Sequence, residues 1–160
     1  VPEMTFSLAA GLNWKGIDFS ILFQGAARSS IYLQQDIAWD NFWGNYYEEH
    51  IGRWTPETAA TATYPRFTKA ATAAHPNYYK SDYWLKDSKY LRLKNIQLGY
   101  TIPRKLLKKF GVRSLRVYAN AYNLFTWDNV KKVDPESSNN SNGQFYPQQK
   151  VINFGINLNF

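Results

Sequence analysis

No cysteine occurs anywhere in the 160 residues, which excludes disulfide frameworks and thiolate metal sites while leaving the compartment open. No window approaches the roughly 18 consecutive apolar residues of a spanning helix. Any passage through a bilayer must therefore be made with strands. Histidine is nearly missing: His50 and His75 stand far apart, without the spacing of metal ligands. No nucleophile–base pair, phosphate loop or supported carboxylate pair is present, so the chain is not predicted to be an enzyme. Acids are absent from one place in particular. Between Pro103 and Arg113 stand Arg104, Lys105, Lys108, Lys109 and Arg113 with no Asp or Glu among them, five of the charges in a net +7. A nucleic-acid-binding protein spreads its cations over a face or along a helix. Here the remainder is close to neutral, and nucleic acid is excluded as a partner. The chain opens on Val1 with neither an initiator Met nor a signal peptide, and reads as a piece of a longer precursor.

What the chain has in quantity is aromatic side chains, 18% of residues, as 12 Tyr, 10 Phe and 6 Trp. They accompany a period of two. Over 151–160, Ile152, Phe154, Ile156, Leu158 and Phe160 alternate with Val151, Asn153, Gly155, Asn157 and Asn159, giving one apolar face and one small or amide-bearing face. The same alternation runs through 4–14, with Phe6, Leu8, Ala10, Leu12 and Trp14 in phase, and through 17–27, with Ile17, Phe19, Ile21 and Phe23 in phase. Lys15-Gly16 between them is a two-residue hairpin signal. Each run has about the 9–11 residues a tilted strand needs to cross a bilayer. Alternation also suits a strand in a soluble sandwich. The aromatic ending, without a polar tail, suits a strand that meets lipid and headgroups.

Two further strands are predicted at 84–102 and 113–127, and the last at 150–160, making five. Leu91 and Leu93 lie in one phase; Ile96, Leu98, Tyr100 and Ile102 lie in the other. Lys94-Asn95 at the switch reads as a β-bulge. Asn123 similarly breaks the phase before Phe125 and Trp127. Pro103 opens a short amphipathic helical turn that ends at Gly111. Residues 28–83 and 128–149 lose the pattern, apart from a possible short helix over 36–43. Unpatterned stretches of this length count against a compact domain unless they are functional loops. Five hairpin-linked strands cannot close, and two edges would be bare. The missing strands are the expected partners.

Several segments then fall into a familiar order: Tyr90-Leu-Arg-Leu-Lys-Asn-Ile-Gln-Leu-Gly-Tyr-Thr-Ile-Pro103, Ser114-Leu-Arg-Val-Tyr118, Asn123-Leu-Phe-Thr-Trp127, Asp134-Pro135, Tyr146-Pro147 and Asn153-Phe-Gly-Ile-Asn-Leu-Asn-Phe160. With Asp18-Phe-Ser-Ile-Leu-Phe-Gln-Gly25, this resembles the C-terminal end of SusC/RagA-family TonB-dependent outer-membrane transporters. The resemblance implies an all-β transmembrane antiparallel barrel segment, the last five strands of a 22-stranded plugged barrel. It implies long extracellular loops at 28–83 and 128–149, and periplasmic placement of Lys15-Gly16 and of the basic helical turn. The plug domain would lie outside this chain. The implied function is import of oligosaccharides or peptides across the bacterial outer membrane. The implied partners are the rest of the barrel and its plug, a SusD-like surface lipoprotein as lid, TonB acting through the absent N-terminal part, and a second transporter–lipoprotein pair in a dimer. The alternative is a soluble carbohydrate-binding β-sandwich.

On that reading Val117, Ile152, Phe154, Ile156 and Leu158 face lipid. Arg92, Gln97, Arg116, Tyr118, Asn120, Tyr122, Asn153 and Asn157 face the lumen, where they bind the plug or line a wet channel. Phe160 is the terminal signal for barrel assembly, or else an interfacial aromatic. Trp39, Trp43, Trp54 and Trp84 are candidates for substrate contact, against the plainer role of packing the loops. The cluster at 104–109 touches anionic lipid or a periplasmic partner, or is a solvated turn with Leu106, Leu107 and Phe110 tucked against the barrel end. No cofactor is expected. Asp128, Asp134 and Glu136 could hold Ca2+ in an outer loop, but they lack the spacing of a known site.

Overall fold

A computed structural model describes residues 2–35, 38–40, 44–69, 75–130, 133–136, 146 and 148–160. In chain order the elements are β1 (Met4–Trp14), β2 (Ile17–Ala27), β3 (Ser30–Tyr32), β4 (Leu85–Asp87), β5 (Tyr90–Thr101), α1 (Arg104–Leu107), β6 (Ser114–Asp128) and β7 (Val151–Asn159). Short 3-10 turns occupy 48–52, 76–78, 82–84 and 108–110. The chain divides into two compact units, one holding residues 2–29, 89–129 and 147–160, the other built from 30–88 and 130–146.

The first unit is a five-stranded antiparallel sheet in the order β1-β2-β5-β6-β7, so β1 and β7 are its edges. Lys15 and Gly16 form the β1–β2 turn, with φ of 47° and 87° and Trp14 paired to Ile17. Positive φ at both central residues is the turn whose twist matches that of the flanking strands. At Gly16 a side chain is doubly excluded, because a Cβ would stand 2.7 Å from the Thr101 carbonyl oxygen.

The pairing slips once, between Leu93 and Asn95, on both sides of β5. The slip lies at the Lys94-Asn95 phase switch, and on β6 the residue spanning it, Asn123, has a φ of 53°. One extra residue turns every following side chain to the opposite face. The bulge therefore keeps Leu91 and Leu93 in line with Ile96 and Leu98. The run expected from 84 is divided: Trp84 lies in a 3-10 turn, and Leu85–Asp87 pairs with β3 as a separate two-stranded ribbon. Buried Ser88, followed by Lys89, separates that ribbon from β5. The helix considered for 36–43 lies largely outside the described residues.

The second unit holds the buried apolar cluster: Ile31, Leu33, Ala38, Trp39, Tyr64, Tyr78, Trp84 and Val130. No described helix is long and apolar enough to cross a membrane, which says nothing of strands.

Candidate functional site

The register resolves the sheet into two chemically distinct faces. On one, rows run across the strands: Leu12, Phe19, Leu98, Ala119 and Phe154 in one, Ala10, Ile21, Ile96, Ala121 and Ile152 in the next. Trp14, Ile17, Tyr100, Val117 and Ile156 form a third. Val117, Ile152, Phe154, Ile156 and Leu158 share this face through the pairs Val117–Ile156, Ala121–Ile152, Ala119–Phe154 and Leu115–Leu158. Phe154 is 82% exposed, and Leu8, Leu12, Leu98, Ile152 and Ile156 are exposed as well. A contiguous apolar surface of this kind is not what an isolated soluble domain leaves open to water.

The opposite face carries Asn13, Asp18, Gly99, Tyr118 and Gly155 in one row and Gly11, Ser20, Gln97, Asn120 and Asn153 in the next. Its side chains are tied to one another. Arg116 donates from Nε to Asp18 Oδ1 at 2.8 Å and from Nη2 to Oδ2 at 2.5 Å. The Arg116 guanidinium also lies 4.8 Å over the Tyr118 ring, and Tyr118 leans across Gly155, where a Cβ would strike it. Asn153 Nδ2 donates to Asn120 Oδ1 at 3.0 Å. Arg92 is buried, donates from Nε to Thr126 Oγ1 at 2.9 Å and lies 5.5 Å over the Tyr90 ring. The eight polar residues singled out in the sequence thus stand on one face, through the pairs Arg92–Gln24, Gln97–Asn120, Arg116–Asn157, Asn95–Tyr122 and Asn120–Asn153. Asp18, the partner of Arg116, was not singled out. Its place at i+1 in a strand whose alternate residues are apolar was the available sign.

The other unit is built around Asp40. Tyr78 donates its hydroxyl to Asp40 Oδ1, and Thr68 N–H donates to Oδ2 at 2.9 Å. Asp40 N–H donates to Tyr64 Oη at 3.0 Å, and that hydroxyl donates to the Ala38 carbonyl at 2.8 Å. Burial pushes the Tyr64 and Tyr78 phenols well above their ordinary range, and the Asp40 carboxylate pushes both further. His50 is buried here, accepting at Nδ1 from Tyr47 N–H at 3.0 Å with Nε2 3.3 Å from the Ala38 carbonyl. Both ring nitrogens are engaged within the protein, as structural histidines are and metal ligands are not. No described group of three or more His, Asp or Glu residues could hold a metal ion. At Asp134, Oδ1 accepts from Glu136 N–H at 2.9 Å, a local turn.

The candidate tryptophans separate. Trp39 stacks on Tyr78 at 4.7 Å, Trp84 donates from Nε1 to the Asn77 carbonyl at 2.9 Å, and both are buried. Trp54 is 40% exposed; Trp43 lies outside the described residues. A cavity of about 250 Å3 opens beside Tyr64, Tyr83 and Trp84, with Glu49 and Lys86 among its lining. Tyr83, which sequence reasoning passed over, donates its hydroxyl to the Thr63 carbonyl at 2.8 Å and carries the Lys86 ammonium 4.7 Å over its ring.

No family model matches the sequence. Individual relatives do. The chain is 29% identical over 177 residues to TonB-dependent receptor P26 of Formosa agariphila, a match covering 100% of this chain and 17% of that protein. It is 24% identical over 160 residues to TonB-dependent receptor SusC of Bacteroides thetaiotaomicron, covering 99% of this chain and 15% of the relative. Among solved structures, the RagAB peptide transporter superposes with a TM-score of 0.77 at 25% identity, over 98% of this chain and 17% of that one. The RagAB peptide importer in its open-open state gives 0.76 at 25% identity, over 100% and 17%. The chain thus spans about a sixth of the length of the proteins it matches. Over its whole length the chain is similar to TonB-dependent receptors, SusC among them, and to the RagAB transporter, and a C-terminal segment of a SusC/RagA-type protein fits these matches.

Proposed function

We propose that these strands form part of the wall of a plugged outer-membrane barrel of 22 strands that imports oligosaccharides or peptides with energy delivered by TonB, in concert with a SusD-like surface lipoprotein. The observation that carries this reading is the separation of the two faces of a sheet whose apolar side is uncovered. Hydrocarbon is the medium in which Phe154, Ile156 and Leu98 are exposed without cost. Closure by the absent strands would satisfy the backbone groups at the β1 and β7 edges. The opposite face, from Asp18 to Asn153, then lines the lumen and meets the plug. The unit of residues 30–88 and 130–146 serves as outer loops, its aromatic core holding Trp54 and Tyr83 at the surface for substrate or lid. The role is mechanical and non-catalytic. A soluble sandwich would need a second layer to cover Phe154 and its row, and the exposure of that row weighs against it.

The test uses the full-length transporter in bilayers containing brominated acyl chains. A fluorophore on cysteine introduced at Phe154 is expected to be quenched, and one at Asn153 is expected not to be. Equal quenching at the two sites, or the reverse order, refutes the assignment of faces.

A further inference from the structure

The basic turn between β5 and β6 combines two properties that the wall itself does not require. Arg104, Lys105, Lys108, Lys109 and Arg113 are all exposed, and none forms an ion pair among the described residues. On the same turn Leu107 is buried and α1 rests against β6, whereas Leu106 and Phe110 are 65% and 77% exposed. The turn is therefore anchored by one leucine and presents its other two large apolar side chains outward. Leu106 stands on α1 and Phe110 at the end of the 3-10 turn that follows it, and both face solvent.

The position of the turn adds a third observation. It follows Thr101 and precedes Ser114, at the end of β5 and β6 where the apolar face finishes with Tyr100, Val117, Leu115 and Leu158. Ile102 N–H donates to the Leu115 carbonyl at 2.9 Å, tying the start of the turn to that end. Exposed Leu and Phe flanked by cations, at the margin of an apolar band, have the chemistry of a segment lying in the headgroup layer. A solvated turn has no use for two exposed large apolar groups, and a neutral protein partner would leave the five cations unmatched.

We propose that the turn at 104–113 is a docking surface for anionic phospholipid, with Leu106 and Phe110 dipping among acyl chains and the five cations collecting phosphate groups. This rests on the lipid-facing assignment above. It commits the turn to the phospholipid leaflet at its own end of the barrel, and makes lipopolysaccharide the losing outcome.

The experiment is native mass spectrometry of the detergent-purified full-length transporter, titrated separately with phosphatidylglycerol, phosphatidylcholine and lipopolysaccharide. Phosphatidylglycerol is expected to be retained over phosphatidylcholine, and each cation neutralised to Gln should weaken that retention about five-fold. Lys105→Gln/Lys108→Gln/Lys109→Gln should therefore abolish the preference, and Leu106→Ser/Phe110→Ser should weaken phosphatidylglycerol and phosphatidylcholine alike. Unchanged preference in the triple variant overturns the proposal, as does preferential binding of lipopolysaccharide at the same residues. Folding is followed by heat-dependent mobility in electrophoresis, and a variant that fails to fold is replaced by Lys105→Arg/Lys108→Arg/Lys109→Arg, which must keep the preference. The proposal and the wall assignment fail separately, because quenching at Phe154 does not depend on these cations.

Discussion

Arg116 on β6 and Asp18 on β2 belong to strands that are not neighbours, and they meet across Gly99 on the strand between them. A Cβ at Gly99 would stand 2.5 Å from both the Arg116 guanidinium and the Asp18 carboxylate. The two-point contact thus exists because the intervening position has no side chain. It links three strands where a ladder links two, and both side chains remain only about a quarter exposed.

The first prediction concerns that bridge. Arg116→Met leaves the Asp18 carboxylate without its principal partner and is expected to lower the urea midpoint. Asp18→Asn should cost less, since its amide oxygen can still accept a hydrogen bond from Arg116, and the double variant should recover part of the loss. Gly99→Val should mimic the loss by forcing the pair apart. The measurement is a urea titration of the refolded full-length barrel; additive single losses would show that the pair is uncoupled.

A second concerns the faces. Ile21→Arg or Ile96→Arg, paired near the middle of β2 and β5, should destabilise the barrel by about 2–4 kcal/mol, and Val117→Arg, in the last apolar row before the turns, by less. Asn120→Arg, on the opposite face, should cost little. Folding into lipid vesicles monitored against denaturant distinguishes them, and a neutral Ile96→Arg removes the lipid-facing assignment.

The third is a pH dependence in the unit of residues 30–88 and 130–146. Tyr64 and Tyr78 have folded-state values raised by burial and by Asp40. A raised value means the folded state holds its proton more tightly than the unfolded chain does. The associated stability is complete below the unfolded value of 10.0 and is lost as pH climbs beyond it. Phenolate absorbance should therefore show these two tyrosines silent at pH 10, and protease sensitivity of this unit should rise only above that pH. Tyr78→Phe removes the hydroxyl bonded to Asp40 and should bring the proteolytic transition to milder conditions, at a cost of about 1–3 kcal/mol. Normal titration of both tyrosines near pH 10 would refute the buried cluster.

A fourth follows from Phe160, which is 76% exposed beyond the end of β7. Deleting it should slow assembly of the full-length transporter into the outer membrane, read as a lower level of heat-modifiable barrel. Undiminished levels would leave Phe160 as an interfacial aromatic alone.

Much of the sheet was legible in the residues because strand periodicity is a local property. Alternation of Ile152, Phe154, Ile156 and Leu158 with amides and glycine fixes which side chains share a face, whatever the strand pairs with. The fault at Lys94-Asn95 was readable for the same reason, since a bulge must break the phase. The two-residue Lys15-Gly16 connection dictated its own turn. The strand expected from 84 begins only at Tyr90, because Leu85–Asp87 has strand character but finds its partner in Ser30–Tyr32, far back in the chain. No local pattern announces that choice.

The linear order of residues alone settled the two-faced strands, the hairpin, the bulge and the acid-free turn, because each depends on neighbours a few positions apart. Tertiary structure alone decided the Asp18–Arg116 bridge over Gly99, the burial of Trp39 and Trp84 with Asp40 at their centre, and the outward turn of Leu106 and Phe110. Those outcomes depend on which distant segments come together and on the space left between them, and neither quantity is encoded in local spacing.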